Sequence, residues 1–299
     1  MSTAEMTLDS RPQPAAALAL TNGVAPTAAT ATSVAPRAAR ALPEICHTLR
    51  RKVLGFLEEQ TDDAELRNTQ ARARESMGLV EEALQRYGLE ELSLSYNGGK
   101  DCLVLLILIL ACLPATTSSS HPSTGHAHGP KEPAEAPSSL IEPLQAIYIA
   151  PPDPFPEVED FVSASAAQYH LDLTRYALPM RHALEAYQGD RPPVKAIFMG
   201  TRRTDPHSEF LTPFSPTDGD WPQLMRVNPI LDWHYADIWA FIRRLEIPFC
   251  SLYNRGFTSL GGTKNTRPNP ALALGGDDKA FRPAYELARD DEERLGRDR

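Results

Sequence analysis

The chain is poor in cysteine: Cys46, Cys102, Cys112 and Cys250 are the four among 299 residues, and none forms a Cys-x-x-Cys pair. Zinc ribbons and thioredoxin-like motifs are thereby excluded. Buried, reduced thiols in an intracellular protein are the plain reading. No apolar run is long enough to span a bilayer, which takes about 20 residues. The longest, Leu103 to Leu113, is stopped by Pro114. Positive charge is not in excess either: 30 Lys and Arg stand against 39 Asp and Glu, a net charge of -9. That balance argues against a nucleic acid backbone as the partner, while leaving room for a local basic pocket. The basic start and apolar centre of a secretory signal are missing. So is the G-x-x-x-x-G-K-[ST] pattern of a Walker loop. A protein acting on small molecules, with no membrane and no nucleic acid partner, is what remains. Nothing signals a coiled coil, and a monomer in the cytoplasm is expected.

Residues 1–40 are rich in Ala, Thr and Pro and hold few large apolar groups. Such a segment cannot offset its ordering entropy and is expected to be a disordered tail. Arg11, Arg37 and Arg40 would suit a mitochondrial transit peptide, but Glu5 and Asp9 count against one. A second low-complexity stretch, about 114–143, reads as a disordered surface insertion. Its His121, His126 and His128 have no Cys or carboxylate framework that would make a metal site. The rest, 41–299, reads as a single domain.

Within it, helical apolar spacing covers 41–59, 63–87, 157–170, 180–187 and 235–245. Short strands are expected at 92–96, 146–150, 171–175 and 195–199, with a helix after Gly98-Gly99 that ends near Leu113. Strands separated by helices predict an α/β fold, a Rossmann-like, mainly parallel sheet with helices on both faces. Ligands in such folds sit beyond the carboxyl ends of the strands.

At one of those ends stands Ser95-Tyr96-Asn97-Gly98-Gly99-Lys100-Asp101-Cys102. Strand, Gly-Gly-Lys, helix is an arrangement that cradles phosphate. Glycine lets the backbone approach closely, and the first helical turn offers free N–H groups and the positive end of the dipole. Lys100 supplies a cation, and Asp101 is a hard oxygen ligand for Mg²⁺. The same residues could make only a turn, a solvated lysine and a dipole-complementing aspartate. The strand before and the apolar helix after favour the phosphate site. Met199-Gly200-Thr201-Arg202-Arg203-Thr204-Asp205-Pro206 follows another strand, so its arginines and Asp205 should converge on the same loop. Trp221, in Thr217-Asp218-Gly219-Asp220-Trp221-Pro222, offers a flat apolar face to a ring, or covers the core.

The phosphate loop resembles the PP-loop of the ATP-pyrophosphatase superfamily, S-G-G-K-D-S, with Asn97 and Cys102 standing where serines are usual. These segments together, with Ser251–Thr266 and Glu293-Arg294-Leu295-Gly296-Arg297, resemble the eukaryotic, fungal-type FAD synthases of the PAPS reductase-like branch. The resemblance implies an adenine nucleotide alpha hydrolase-like fold and transfer of AMP from ATP to FMN. It implies Mg²⁺ on Asp101 and Asp205, with ATP and pyrophosphate held by Ser95, Asn97, Gly98, Gly99, Lys100, Arg202 and Arg203. It makes Asp218, Trp221 and Arg226 flavin contacts, and Arg294 and Arg297 a C-terminal closure over flavin and phosphate. Catalysis would rest on Asn97, Lys100, Asp101, Asp205, Arg294 and Arg297, and the amides of 98–100 would grip the leaving pyrophosphate. Trp233 is read as core. Three alternatives are kept: a PAPS reductase-like enzyme, a tRNA-sulfurating enzyme of the same superfamily, and a non-catalytic flavin or nucleotide binder. The first would need a C-terminal nucleophilic cysteine, and no cysteine follows Cys250.

Overall fold

A computed structural model describes residues 40–113, 142–275 and 277–298. The expected tail, 1–40, and insertion, about 114–143, lie almost wholly outside them.

Helix α1 (Leu42–Glu58) has Pro43 in its first turn and buries Leu42, Cys46, Leu49, Val53 and Phe56, one stripe at three- and four-residue spacing. Helix α2 (Ala64–Arg86) is capped by Asp63, whose carboxylate accepts the amides of Glu65 and Leu66. Strand β1 (Leu92–Ser95) then leads into α3 (Lys100–Cys112). Every residue of α3 from Cys102 to Cys112 is buried. A helix apolar all round must be covered all round. The sheet takes one side of it, and α1, α2 and α6 (Tyr235–Arg244) take the others.

The other strands of the main sheet are β2 (Gln145–Ile149), β3 (Asp172–Tyr176), β4 (Ala196–Phe198), β5 (Phe214–Pro216) and β6 (Met225–Val227), and β7 (Ala273–Leu274) and β8 (Asp277–Phe281) pair antiparallel in a separate two-stranded sheet. The sheet order is β3-β2-β1-β4-β6-β5, parallel except for β5, which pairs antiparallel with β6. Helices α4 (Pro156–Gln168) and α5 (Met180–Asp190) connect the first parallel strands. Strands β5 and β6 are additions to the expected four. Each is three residues long and carries a proline or an arginine, so neither has an apolar alternation to read.

The chain winds outward from β1 through β2 to β3, then returns to place β4 on the other side of β1. The crevice between the carboxyl ends of β1 and β4 is the topological switch point. The register sets Leu94 beside Ala146 and Phe198 on one face, and Ser95 beside Ile147 on the other. The first face packs on α3. The second carries a smaller cluster of Ile147, Tyr187, Val194, Ile197 and Leu224.

Candidate active site

The loop after β1 is shaped by its own side chains. Asn97 Oδ1 accepts the Gly99 amide at 2.9 Å, and the Cys102 thiol donates to the same oxygen at 3.0 Å. Gly98 has φ +70, and a Cβ there would stand 2.8 Å from Val162 Cγ2, so the loop needs glycine on both counts. The Lys100 amide donates to the Tyr253 hydroxyl at 2.8 Å. The amides of Gly99 and Lys100 are thus engaged with protein, which corrects the expectation that the amides of 98–100 all point at phosphate.

The loop after β4 lies directly on the first turn of α3. A Cβ on Gly200 would meet the Cys102 amide nitrogen at 2.8 Å. This contact brings Arg202 and Asp205 to Asp101. Arg202 is 0% exposed and Lys100 is 1% exposed. Lys100 Nζ lies 2.9 Å from Asp101 Oδ2 and 2.5 Å from Glu293 Oε1. Arg202 Nε lies 2.8 Å from Asp101 Oδ1, and Arg202 Nη2 pairs with Glu293 Oε2. Two cations and two carboxylates therefore form a closed square, with the Tyr235 ring 5.0 Å from the Lys100 ammonium. The Asp101 carboxyl is penalised by burial, yet Lys100 and Arg202 hold it below the ordinary carboxylate range. Burial pulls Lys100 down, but Asp101 and Glu293 carry it above its ordinary value.

The square is not saturated. Asp101 Oδ1 and Arg202 Nε, despite their approach, make no hydrogen bond, and neither does Arg202 Nη1; all three atoms are buried. Arg202 Nε and Asp101 Oδ1 still face each other as an ion pair, so Nη1 is the buried donor left without a partner, and such atoms are uncommon in folded proteins. Asp205 stands beside Asp101 and Arg202, one oxygen accepting the Arg202 amide at 2.9 Å. Burial first, with Asp101 and Glu293 adding to it, raises its pKa. With Asp205 included, three carboxylates face two cations. A divalent ion held by one or two carboxylates and by phosphate oxygens fits that donor set. No cluster of three or more metal-ligating side chains occurs among the described residues.

Arg203 departs from expectation. Its side chain is exposed, pairs with Asp232 Oδ1 at 2.6 Å, and donates to the carbonyls of Glu209 and Leu211 at 2.9 and 3.1 Å. It staples the loop 203–211 and does not join the phosphate loop. The reason is its place in the turn. Arg202 enters the buried crevice, and its neighbour must leave it.

On the open face of the sheet, an apolar cavity of about 210 Å³ is lined by Ser95, Ile149, Ile197 and Met199, with Asp218, Trp221 and Arg226 around it. The three expected ring contacts are thereby brought together with Ser95 of the phosphate loop. Arg226 Nη2 donates to the Pro216 carbonyl at 2.7 Å, and its buried Nε has no partner. A smaller pocket of about 170 Å³, lined by Asn97, Tyr148, Pro151, Phe155 and Leu260, adjoins the other side of Ile149. A larger groove of about 690 Å³ beside Trp239, Arg243 and Tyr285 touches none of the loop residues. Trp233 is core, as expected, its indole donating to Ser76 Oγ at 2.9 Å.

The C-terminal arginines differ from each other. Arg294 is exposed. Arg297 donates to the Leu260 carbonyl at 2.8 Å and lies against Gly261. Burial, then the charge of Arg294, lowers its pKa. Glu293 and Tyr253 were not among the expected site residues. Both lie inside segments singled out for other reasons, and neither carries a local signal, because their partners are 193 and 153 residues away in sequence.

A parallel sheet with a phosphate loop at its switch point, a buried charge square beside it and an apolar cavity sharing its strand defines a nucleotide-using α/β enzyme. The model of the phosphoadenosine phosphosulfate reductase domain matches residues 91–191 and 175–268, and the chain belongs to that family. Within it the similarity runs to FAD synthases. A probable FAD synthase of Schizosaccharomyces pombe is 39% identical over 228 residues, which cover 76% of this chain and 79% of that one. A probable FAD synthase of Caenorhabditis elegans is 38% identical, but the match covers only 40% of its length. The crystal structure of Candida glabrata FMN adenylyltransferase, in complex with FAD and inorganic pyrophosphate, superposes with a TM-score of 0.75 and 27% identity, covering 86% of this chain and 97% of that one.

Proposed function

We propose that the chain is an FAD synthase, an FMN adenylyltransferase that joins FMN to the AMP part of ATP and releases pyrophosphate. The observation that carries this reading is a single adjacency. Ser95 lines an apolar cavity bounded by Trp221, and two residues further on Asn97 opens the phosphate loop. A flat ring in the first and a polyphosphate on the second would be held by one continuous stretch of backbone. The names of the relatives support the same chemistry.

The FMN phosphate already carries a nucleophilic oxygen at neutral pH. Its attack on the α-phosphorus forms the new P–O bond, and the bond to the bridging oxygen breaks with its electron pair leaving on pyrophosphate. No protein nucleophile is required. Alignment and charge compensation become the work of the site. Gly98 and the orphaned donor of Arg202 face phosphate, with Lys100 reinforcing the field from below. Asp218, Trp221 and Arg226 hold the ring, and Arg294 and Arg297 approach from the C-terminal segment. Mg²⁺, held by Asp101 and Asp205 with the substrate phosphates, would neutralise developing negative charge. No helix among the described residues is long and apolar enough to cross a membrane. Four free cysteines support a reducing compartment, which we take to be the cytoplasm, with the chain as a monomer.

The test is incubation of the purified chain with FMN, ATP and Mg²⁺, followed by chromatography of the flavins. FAD at catalytic turnover is expected. Binding of both substrates without product would make the chain a non-catalytic binder. Thiol-dependent sulfite release from PAPS would make it a reductase, an outcome opposed by the burial of Cys250 and its raised thiol pKa.

A further inference from the structure

Glu293 closes the charge square from the opposite end of the chain. It is 6% exposed, and each of its carboxylate oxygens meets a different cation, Oε1 at Lys100 and Oε2 at Arg202. Its backbone is fixed as carefully as its side chain. The Thr258 hydroxyl donates to the Glu293 carbonyl at 2.6 Å. The Asn269 amide, 0% exposed, donates to the Glu292 carbonyl at 2.8 Å and to Thr258 Oγ1 at 2.9 Å. The segment that follows contains Arg294 and Arg297, the second of which reaches back to Leu260. One residue therefore touches the loop after β1, the loop after β4 and the C-terminal arginine segment.

A structural ion pair would need only one partner. Here one carboxylate spans two buried cations that stand beside an unpaired donor of Arg202. Without it, Lys100 and Arg202 would share Asp101 alone, and like charges would push them apart. Resting on the reading of the chain as an adenylyltransferase, we propose that Glu293 is a positioning residue. It sets the spacing of Lys100 and Arg202 beneath the phosphates, and couples that spacing to where Arg294 and Arg297 stand. Loss of alignment at an otherwise intact loop lowers turnover more than ground-state binding.

The experiment measures initial rates of FAD formation by the full chain, varying ATP and FMN separately, for wild type, Glu293→Gln, Glu293→Asp and Thr258→Val. Glu293→Gln should lower kcat by about tenfold or more, with KM for ATP within about threefold, both per folded enzyme. Glu293→Asp, which restores the charge with shorter reach, should recover part of that kcat. Thr258→Val should give a smaller loss of kcat in the same direction. A kcat for Glu293→Gln within about threefold of wild type overturns the proposal. So does a loss that Glu293→Asp does not relieve. If Glu293→Gln does not fold, an unchanged kcat in Thr258→Val overturns it instead. If wild type forms no FAD, the functional reading fails separately. Glu293 is then judged by limited tryptic cleavage at Arg294 and Arg297 in the full chain, which Glu293→Gln should speed and whose unchanged rate would refute the coupling.

Discussion

On one face of the sheet, Leu94, Tyr96, Ala146 and Phe198 lie under α3, and α1, α2 and α6 close over that helix until its last eleven residues reach no solvent. On the other face, Ile147, Ile149, Ile197 and Met199 meet little more than α5 and the 217–224 segment, and a cavity of about 210 Å³ stays open. The same strands serve both faces. The first is filled, and the second leaves an open cavity. Leu178 and Met180, 44% and 59% exposed, stand at the start of α5 beside that cavity. The charge square sits where the closed face ends and the crevice begins, so its loss should damage fold and chemistry together.

That contrast can be broken at several points. The largest effect should come from Lys100→Met. Removing one partner of a buried pair costs about 3–5 kcal/mol, because Asp101 and Glu293 are left undercompensated. Urea unfolding should report that loss, and FAD formation should fall below detection. Next, Leu106→Ala on the closed face should cost about 2–5 kcal/mol, while Leu184→Ala on the open face should cost less than about 1.5 kcal/mol, because it only widens an existing cavity. Equal losses in denaturant midpoint for the two variants would remove the distinction between the faces. Trp221→Ala should leave stability nearly unchanged and raise KM for FMN by about three- to tenfold, the worth of one aromatic contact. An unchanged KM for FMN would take the flavin ring out of this cavity.

The smallest effect concerns pH. Burial pushes the thiol of Cys46 up to about 11, and those of Cys102 and Cys112 up to about 12, all on the closed face. An unfolded thiol releases its proton near the ordinary value of 9.0, while the folded one keeps it. Above that value the unfolded chain binds fewer protons than the folded one, so stability falls as pH rises. Tm should be lower at pH 10 than at pH 8. Replacing Cys112 by Ala should lessen the difference, and a Tm that does not fall between those two values would contradict it.

Much of the fold was legible because it depends on short-range pattern. The stripe of α1 and the apolar run of α3 are each set within a few residues; α1, α2, α4, α5 and α6 formed where apolar spacing placed them, and α3 where the glycine turn and the apolar run did. Strands β5 and β6 escaped, since three residues cannot establish a period and their pairing comes from β4. The site was legible as segments. Asp101, Arg202 and Asp205 do converge, and Asp218, Trp221 and Arg226 do share a cavity. Arg203 bonds to Asp232 and the 209–211 loop because adjacent residues in a turn point apart, and sequence does not say which enters the crevice.

What the amino-acid sequence determined by itself was the parallel α/β arrangement, the glycine turn at a helix start and the segments that would supply charge and ring contacts. These follow from local sterics, periodicity and side-chain chemistry. Only the tertiary structure decided that the amide of Lys100 belongs to Tyr253 and that Lys100 and Arg202 are joined by Glu293. Only it left one face of the sheet open. Those are choices of partner across most of the chain, made by burial that couples residues with no local relation to one another.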